Sequence, residues 1–227
     1  MMRGLRVGAW SNGEVDPLAG LTAIDYAKLP LANCRYNITG AKVSNNCTFE
    51  WEFSADWSHP YDKTEGTYFM ALFTTNNATV SSSVGYAIRL GKSNTANVPS
   101  IIFSKNSTLT TPVCSRELSK ADFIKVRAEA STEAVDIYLN DEFVVQRSNS
   151  TAAASVKNIF IRASSTQNIS DFNFRVRKVS IVDSVSGAHV IEPYRDDHGE
   201  VFFVDNKKDI YAKIGDGIVE AGPDKTT

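Results

Sequence analysis

The stretch FIKVRAEASTEAVDIYLNDEFVVQR, residues 123–147, decides the fold that we predict for this chain. Apolar residues occupy alternate positions in two of its segments, IKVRAEA and AVDIYL. A period of two places one set of side chains on the buried face of a strand and the other set in water. Asn140 and Asp141 tolerate positive φ and suit a tight hairpin turn, after which Phe143 and Val145 resume the apolar pattern. The stretch therefore predicts three antiparallel strands in the middle of a meander.

The same period-two pattern recurs along most of the chain. In CTFEWEFSA, residues 47–55, three aromatic residues alternate with Glu50 and Glu52, and the two sets therefore face opposite sides of a strand. A change of face near Lys178 predicts a β-bulge, and Ser119–Phe123 forms a helical turn at most. The other predicted strands are TAIDYAKL (22–29), CRYNI (34–38), TYFMALFTT (67–75, predicted to be central), VGYAIRL (84–90), SIIFS (100–104), VKNIFIRA (156–163), DFNFRVRKVSIVDS (171–184), HVIEPYR (189–195), EVFFVD (200–205) and DIYAKIG (209–215).

Many short strands separated by Asn, Ser, Thr and Gly turns are typical of an antiparallel sandwich or barrel. The chain has 227 residues, of which 42% are hydrophobic and 22% charged, and at this length one core buries most of the apolar surface. We assign residues 1–20 to an N-terminal arm or attachment segment, 21–222 to a single sandwich domain and 223–227 to a tail.

Charge and hydropathy exclude two classes of partner. The chain carries 24 basic and 26 acidic residues, a net charge of −2, which argues against a nucleic-acid partner. No apolar stretch is long enough to span a membrane. The first 14 residues lack the apolar run of an export signal, so we expect a chain that folds in a cytoplasm if no leader precedes it.

Three cysteines, Cys34, Cys47 and Cys114, are widely separated and odd in number. We expect buried or half-buried free thiols. A Cys34–Cys47 disulfide would require the strands that carry these two residues to pair. The spacing of the cysteines does not match a structural metal site.

Three segments resemble the concanavalin A-like lectin/glucanase sandwich domains, which are also laminin-G-like. They are residues 24–54, residues 123–144 with the YLN hairpin, and the closing residues 178–224. The closing segment is the most specific of the three and resembles the ends of such domains in phage virion proteins and bacterial surface proteins. The resemblance implies an all-β, antiparallel jelly-roll β-sandwich, a fold that hosts lectins, hydrolases and structural modules. The positions of the closing segment that carry the resemblance are Pro193, Gly199, Phe203, Asp205, Asn206, Tyr211, Gly215, Gly217 and Gly222.

Glycoside hydrolysis needs two carboxylates that flank a sugar, one of them with a raised pKa. The glucanases with this fold carry their acids on one strand as Glu-x-Asp-x-x-Glu. Glu50 and Glu52 share a face here, but Ala55 and Asp56 follow where the pattern needs its later acid. We therefore interpret both glutamates as solvent-facing carboxylates and expect no catalytic residue.

The histidines and a cluster of aspartates each have a chemical and a structural interpretation. The three histidines, His59, His189 and His198, do not adjoin a Gly-x-Ser-x-Gly turn, so we expect surface histidines rather than members of a catalytic triad. Asp205, Asn206 and Asp209, near Asp196 and Asp197, offer hard oxygen ligands that suit calcium. Turn formation explains the same residues without a metal, so we expect no cofactor and keep calcium as the alternative.

The best candidate for a sugar-binding site is the loop DWSHPYD, residues 56–62. Its Trp57, His59 and Tyr61 are candidate stacking rings, and its two aspartates are candidate partners for sugar hydroxyls. The competing interpretation is that Trp57 covers the edge of the core and binds no ligand.

Three functions follow from these observations. The first is a non-enzymatic component of a bacteriophage virion, either a capsid or tail decoration or a receptor-binding adhesin. Its partners would be other virion proteins, further copies of itself in a homo-oligomer such as a trimer, and a cell-surface glycan. The second is a bacterial surface or secreted carbohydrate-binding module, which would act outside the cell. The third and least favoured is a glycoside hydrolase.

Overall fold

A computed structural model of the chain describes residues 16–30, 34–43, 46–55, 68–74, 86–92, 99–105, 108–109, 123–148, 157–162 and 174–226. All regular secondary structure within these ranges is β-strand. The strands are β1 (Thr22–Ala23), β2 (Ala27–Leu29), β3 (Cys34–Val43), β4 (Cys47–Ala55), β5 (Tyr68–Thr74), β6 (Tyr86–Lys92), β7 (Pro99–Lys105), β8 (Thr108–Leu109), β9 (Ile124–Ala130), β10 (Ala134–Leu139), β11 (Glu142–Ser148), β12 (Lys157–Arg162), β13 (Phe174–Asp183), β14 (Gly187–Arg195), β15 (Val201–Asp205), β16 (Ile210–Tyr211), β17 (Lys213–Gly215) and β18 (Glu220–Ala221).

The strands form two antiparallel sheets. The first sheet has the order β11-β10-β9-β4-β13-β14-β15-β16, with β1 paired to β14, β2 to β13 and β18 to β2. The second sheet has the order β17-β3-β12-β5-β6-β7-β8, so β5 is central as predicted. The predicted class, an all-β antiparallel jelly-roll sandwich, is confirmed. No helix in the described part of the chain is long and apolar enough to cross a membrane.

The core contains buried side chains from both sheets. Tyr36 of β3 packs edge-on against Phe203 of β15, with 4.7 Å between ring centroids. Its hydroxyl donates to the Val201 carbonyl at 2.9 Å, so a buried polar atom is satisfied across the two sheets. The largest fully buried side chains are Trp51, Tyr36, Phe49, Phe53, Phe174, Phe203, Ile24, Leu29 and Ile38.

The predicted meander is present as β9, β10 and β11. The connecting residues Asn140 and Asp141 have φ values of 50° and 68°, as the hairpin prediction requires. The Asn140 side-chain oxygen accepts from the Lys125 amide at 2.9 Å, which ties the turn to β9. Side chains of β9 and β10 alternate between buried and half-buried positions, so the predicted period of two is confirmed.

The predicted bulge near Lys178 is also present. The register between β13 and β4 shifts between Val176 and Lys178. At this point the opposite edge of β13 changes its partner from β2 to β14. Arg177, at the bulge, donates to Asp25 at 2.9 Å and to Glu52 at 3.1 Å. The bulge therefore marks the place where the first sheet forks.

The segment TAIDYAKL was predicted as one strand, and the structure corrects this. It forms β1 on β14 and, after a break, β2 on β13, because the segment crosses the fork. The chain end lies against this segment, where the Asp25 amide donates to the Pro223 carbonyl at 2.8 Å and the Lys225 amide to the Ala23 carbonyl at 2.9 Å. These contacts include residues assigned to the tail, and the predicted domain limits stay a prediction.

The alternative of a Cys34–Cys47 disulfide is wrong. It required β3 and β4 to pair, but these strands belong to different sheets. Cys34 and Cys47 form no disulfide and are buried, as the prediction of buried thiols states, while Cys114 lies outside the described residues. Burial raises the pKa of the Cys34 thiol to about 11, although Lys213 acts in the opposite direction.

We predict that Cys34 resists alkylation in the native protein, because the thiolate is the reactive form and a raised pKa makes it scarce at pH 8. Iodoacetamide labelling followed by peptide mass spectrometry measures this, with the same reaction in denaturant as the control. Native labelling of Cys34 at the denatured rate would contradict the buried position of this thiol.

Candidate functional site

The predicted sugar-binding loop, with Trp57, His59 and Tyr61, lies outside the described residues. Its role stays a prediction. The remaining candidates fall into two groups that the structure does describe. One lies in the β15–β16 hairpin and the other on the outer face of the first sheet.

Asp205 is the centre of the hairpin group. Its Oδ1 accepts from the backbone amides of Lys207 at 2.8 Å and Asp209 at 3.0 Å. Its Oδ2 contacts His189 Nδ1 at 3.0 Å and accepts from the Tyr211 hydroxyl at 3.1 Å. Both oxygens of this buried carboxylate are therefore used within the protein.

The side chains of two of the three calcium candidates have partners within the protein. The Asn206 side-chain oxygen accepts from the Val190 amide at 2.9 Å, and the oxygens of Asp205 are occupied as described. The described residues contain no group of three or more His, Cys, Asp or Glu side chains arranged to hold a metal. The contacts of Asp205 and Asn206 fit the structural alternative, in which these residues close a turn.

His189 is buried, so the prediction of a surface histidine is wrong for this residue. Only 1% of its surface is exposed, because its place on β14 faces Asp205 on the next strand. Its Nε2 lies 3.0 Å from Lys207 Nζ and 3.2 Å from the Ser186 carbonyl oxygen. Both ring nitrogens thus have partners within the protein, in the β15–β16 hairpin and in the β13–β14 turn, while the His198 side chain is 84% exposed, as predicted.

The hydrogen bonds around Asp205 outweigh the effect of burial on its ionisation. Burial acts to raise the pKa of Asp205, but the hydrogen bonds from His189, the two backbone amides and Tyr211 hold the pKa below its ordinary value. Burial and the neighbouring carboxylate raise the pKa of Tyr211. The cluster therefore keeps a buried carboxylate ionised beside a neutral phenol.

Tyr211 also connects this cluster to the second sheet. Gly40, on β3, lies so close to the Tyr211 hydroxyl that its backbone offsets part of the rise in the Tyr211 pKa. A Cβ added at Gly40 would lie 2.5 Å from that hydroxyl and 3.0 Å from Asp209 Oδ2. The close approach of β3 to the hairpin therefore requires glycine at this position.

Glu50 and Glu52 share the outer face of β4, as predicted, and each faces a cation. Lys125 Nζ lies 3.9 Å from Glu50, and Arg177 lies 3.1 Å from Glu52. Each carboxylate therefore takes part in an ion pair on the outer side of the sheet. This arrangement matches the predicted solvent-facing role.

The outer side of β4, β9, β10 and β11 forms a continuous array, and we call the part of it around Arg127 the meander face. At its centre Arg127 lies between Glu50 on β4 and Tyr138 on β10, and Tyr138 lies opposite Phe143 on β11. The meander face comprises Glu50, Lys125, Arg127, Glu129, Asp136, Tyr138, Asp141, Phe143 and Gln146.

Phe143 is the residue that the sequence pattern misplaced. The pattern put Phe143 and Val145 together on the apolar face, but the β10–β11 register shifts between Ile137 and Tyr138. Val145 therefore lies opposite the buried Ile137, whereas Phe143 lies opposite Tyr138 on the outer face. Phe143 is 58% exposed as a result. A bulge cannot be read from alternation alone, so the pattern gave no signal for this ring.

The side chains around Phe143 are fixed by one another. The Tyr138 and Phe143 rings meet edge to face with 5.7 Å between centroids. The Arg127 guanidinium lies 3.8 Å above the centre of the Tyr138 ring and is hydrogen-bonded to Glu129. Such cation–π and edge-to-face contacts restrain ring orientation. The exposed Phe143 ring therefore packs against a Tyr138 ring whose orientation is itself restrained by Arg127.

We predict that Asp205→Asn lowers the free energy of unfolding by about 3 kcal/mol or more, because it breaks a buried, hydrogen-bonded pair. Urea unfolding at pH 7 measures this, with Asp197→Asn as control, since the Asp197 side chain is 83% exposed. Equal stabilities for the two variants would contradict the structural role of Asp205.

The pH dependence of this difference has a definite sign. An aspartate is titrated near pH 4 in the unfolded chain, and the pKa of Asp205 is lower in the folded state. The contribution of Asp205 to the free energy of unfolding is therefore complete above its pKa in the unfolded chain. This contribution is lost as the pH falls through its pKa in the folded chain. The stability gap between the wild type and Asp205→Asn should narrow below about pH 4, and a gap that widens there would contradict this assignment.

We also predict that Gly40→Ala lowers the free energy of unfolding by about 1–3 kcal/mol, as overpacking does. Adding Tyr211→Phe removes the nearest atom that a Cβ would meet, so the double variant should be less destabilised than the sum of the single variants. A double-mutant cycle by thermal unfolding measures the coupling. Additive effects would contradict the close approach.

Comparisons with known proteins support the architecture. A scan against protein-family models finds no match, and a comparison with curated proteins finds none. The metal-free exoplasmic/lumenal domain of VIP36 aligns with a TM-score of 0.51 and 11% identity over 72% of this chain and 83% of that chain. Its Ca²⁺/Man-bound form aligns with a TM-score of 0.50 and 9% identity over 73% and 82%. The alginate lyase AlgAT5 from Polysaccharide Lyase family 7 aligns with a TM-score of 0.44 and 10% identity over 64% and 63%.

Identities this low show a shared fold and leave activity undecided. The two VIP36 alignments agree with the two-sheet antiparallel topology and with the sandwich fold that the sequence resemblance implies. The chain has the concanavalin A-like β-sandwich fold.

Proposed function

We propose that this protein is a non-enzymatic carbohydrate-binding sandwich and that the meander face is its sugar-contacting surface. The observation that carries the proposal is the exposed Phe143 ring, fixed by Tyr138 among planar polar side chains on an open sheet. Exposed aromatic rings with ordered polar neighbours are typical of recognition surfaces.

The chemistry of the face fits a sugar. The apolar C–H side of a sugar ring packs on an aromatic ring, while carboxylate, amide and guanidinium groups bond its hydroxyls. Gln146 donates to Asp136 at 2.8 Å, so an amide and a carboxylate are already oriented beside the two rings. Polar groups that are fixed before binding lower the entropic cost of recognition.

The proposal assigns no catalytic role to Glu50 and Glu52, because each of these glutamates lies beside a cation, Lys125 or Arg177. A glycosidase needs two carboxyl groups that flank the scissile bond of the sugar, whereas these two carboxylates are paired with cations of the same sheet. Any glycan hydrolysis that is abolished by Glu50→Gln or Glu52→Gln would overturn this part of the proposal.

We further propose that the protein acts in a bacteriophage virion as a structural or adhesive component. The support is the resemblance of residues 178–224 to the closing segments of sandwich domains in virion proteins. Residues 1–20 would then attach the sandwich to the particle, and other virion proteins or further copies of the chain would be its partners. A bacterial surface or secreted carbohydrate-binding module is the alternative, with the same binding face and an extracellular location.

We predict that Phe143→Ala weakens glycan binding about tenfold or more, since a tenfold loss corresponds to about 1.4 kcal/mol and an aromatic contact contributes on that order. The matched control is Val182→Ala, because Val182 is 57% exposed on β13 of the same sheet. A glycan array followed by titration of the best ligand measures both variants.

The same array, repeated with Trp57→Ala and with calcium or chelator, separates the remaining candidates. Loss of binding in Trp57→Ala with full binding in Phe143→Ala would move the site to the loop at residues 56–62. Loss in chelator would show that calcium takes part. Equal losses in Phe143→Ala and Val182→Ala would contradict a site centred on the meander face.

The virion proposal predicts a symmetric oligomer, such as a trimer, in solution. Light scattering of the full chain at working concentration measures its mass. A strictly monomeric mass would count against assembly as a particle component and would favour the carbohydrate-binding module.

A further inference from the structure

We infer that the ligand of the meander face is an uncharged oligosaccharide that lies across the strands from Phe143 towards Glu50. This inference rests on the proposed function and adds the chemical class and the extent of the ligand. It follows from three features of the face, which are its compensated cations, its excess of carboxylates and the length of its central row.

The cations of the meander face are already engaged. Lys125 Nζ lies 2.5 Å from Asp141 and 3.9 Å from Glu50. The hydrogen bond from Lys125 to Asp141 raises the pKa of Lys125, so this amine stays charged and bound to its partner. Arg127 is hydrogen-bonded to Glu129 and packs on the Tyr138 ring. An anionic ligand would have to displace one of these carboxylates to reach a positive charge.

Carboxylates are in excess on this face. The two cations Lys125 and Arg127 stand against four carboxylates, and the formal charge of the nine side chains is therefore −2. Asp136 accepts from Gln146, a neutral amide, at 2.8 Å. Like charges repel within about a Debye length, so uronates, sialylated glycans and phosphorylated glycans are disfavoured. A neutral sugar avoids this repulsion and offers hydroxyl donors to the carboxylates.

The central row gives the extent of the site. Phe143, Tyr138, Arg127 and Glu50 are successive cross-strand neighbours on β11, β10, β9 and β4. Adjacent strands lie about 4.8 Å apart, so three spacings make a row about 14 Å long. This row is longer than one sugar ring, and we therefore expect affinity to rise with chain length from a monosaccharide to an oligosaccharide.

The test compares two series of oligosaccharides that are matched in length, one of neutral hexoses and one of uronic acids. Each series is titrated calorimetrically against the full chain, at low ionic strength and at about 0.15 M salt, where screening acts over about 8 Å. We expect the neutral series to bind at least tenfold more tightly, to gain affinity with length and to be insensitive to salt. The affinity of the uronic series should increase as the salt concentration rises, because salt screens the repulsion between like charges.

Variants link the result to the face. Asp136→Asn removes one excess charge and should reduce the discrimination against the uronic series severalfold, whereas Asp197→Asn, on a distant exposed turn, should leave it unchanged. Phe143→Ala should weaken neutral binding, and Val182→Ala should not. Circular dichroism and thermal unfolding confirm that each variant is folded before its affinity is compared.

The possible failures are distinct. Tighter binding of the uronic series, lost in Phe143→Ala, would overturn the inference while the proposed function held. Neutral binding with no dependence on length would overturn the extent of the site. Binding that survives Phe143→Ala would overturn the location, and the absence of binding to every glycan on an array would overturn the proposed function together with the inference.

Discussion

The register of the β10–β11 hairpin is the constraint on which the outer surface of this protein depends. Asn140 and Asp141 adopt positive φ, and the shift after Ile137 then turns Phe143 outward while Val145 stays opposite the buried face. One extra residue in a strand is sufficient for this, because side chains alternate with a period of two. An apolar residue that alternation assigns to the core thereby becomes an exposed ring.

The sheets beneath this surface are held together by apolar packing and by two buried tyrosines. Tyr36 reaches from β3 to a carbonyl of β15, and Tyr211 links Gly40 of β3 to the carboxylate of Asp205. Satisfied polar contacts of this kind fix the relative position of two layers more specifically than apolar packing alone. The β15–β16 hairpin, which carries the calcium candidates, is also part of this connection between the sheets.

Alternation in the sequence was sufficient to predict the fold class, the meander, its turn and the bulge near Lys178, because each is a local property of the chain. It did not predict the fork that divides TAIDYAKL or the burial of His189, since both depend on strands that are distant in sequence. Glu50 and Glu52 were placed correctly because their face follows from strand period. The exposed ring of Phe143 was missed because a register shift is decided by pairing between strands.

The central claim is that a sugar binds the meander face. Titration of the isotopically labelled protein with a neutral oligosaccharide, followed by amide chemical-shift changes, tests it most directly. The account predicts that the largest changes map to β9, β10 and β11 around Arg127, Tyr138 and Phe143, with small changes on β14 and β15. Large changes confined to residues 56–62 would contradict it and would assign the binding site to that loop.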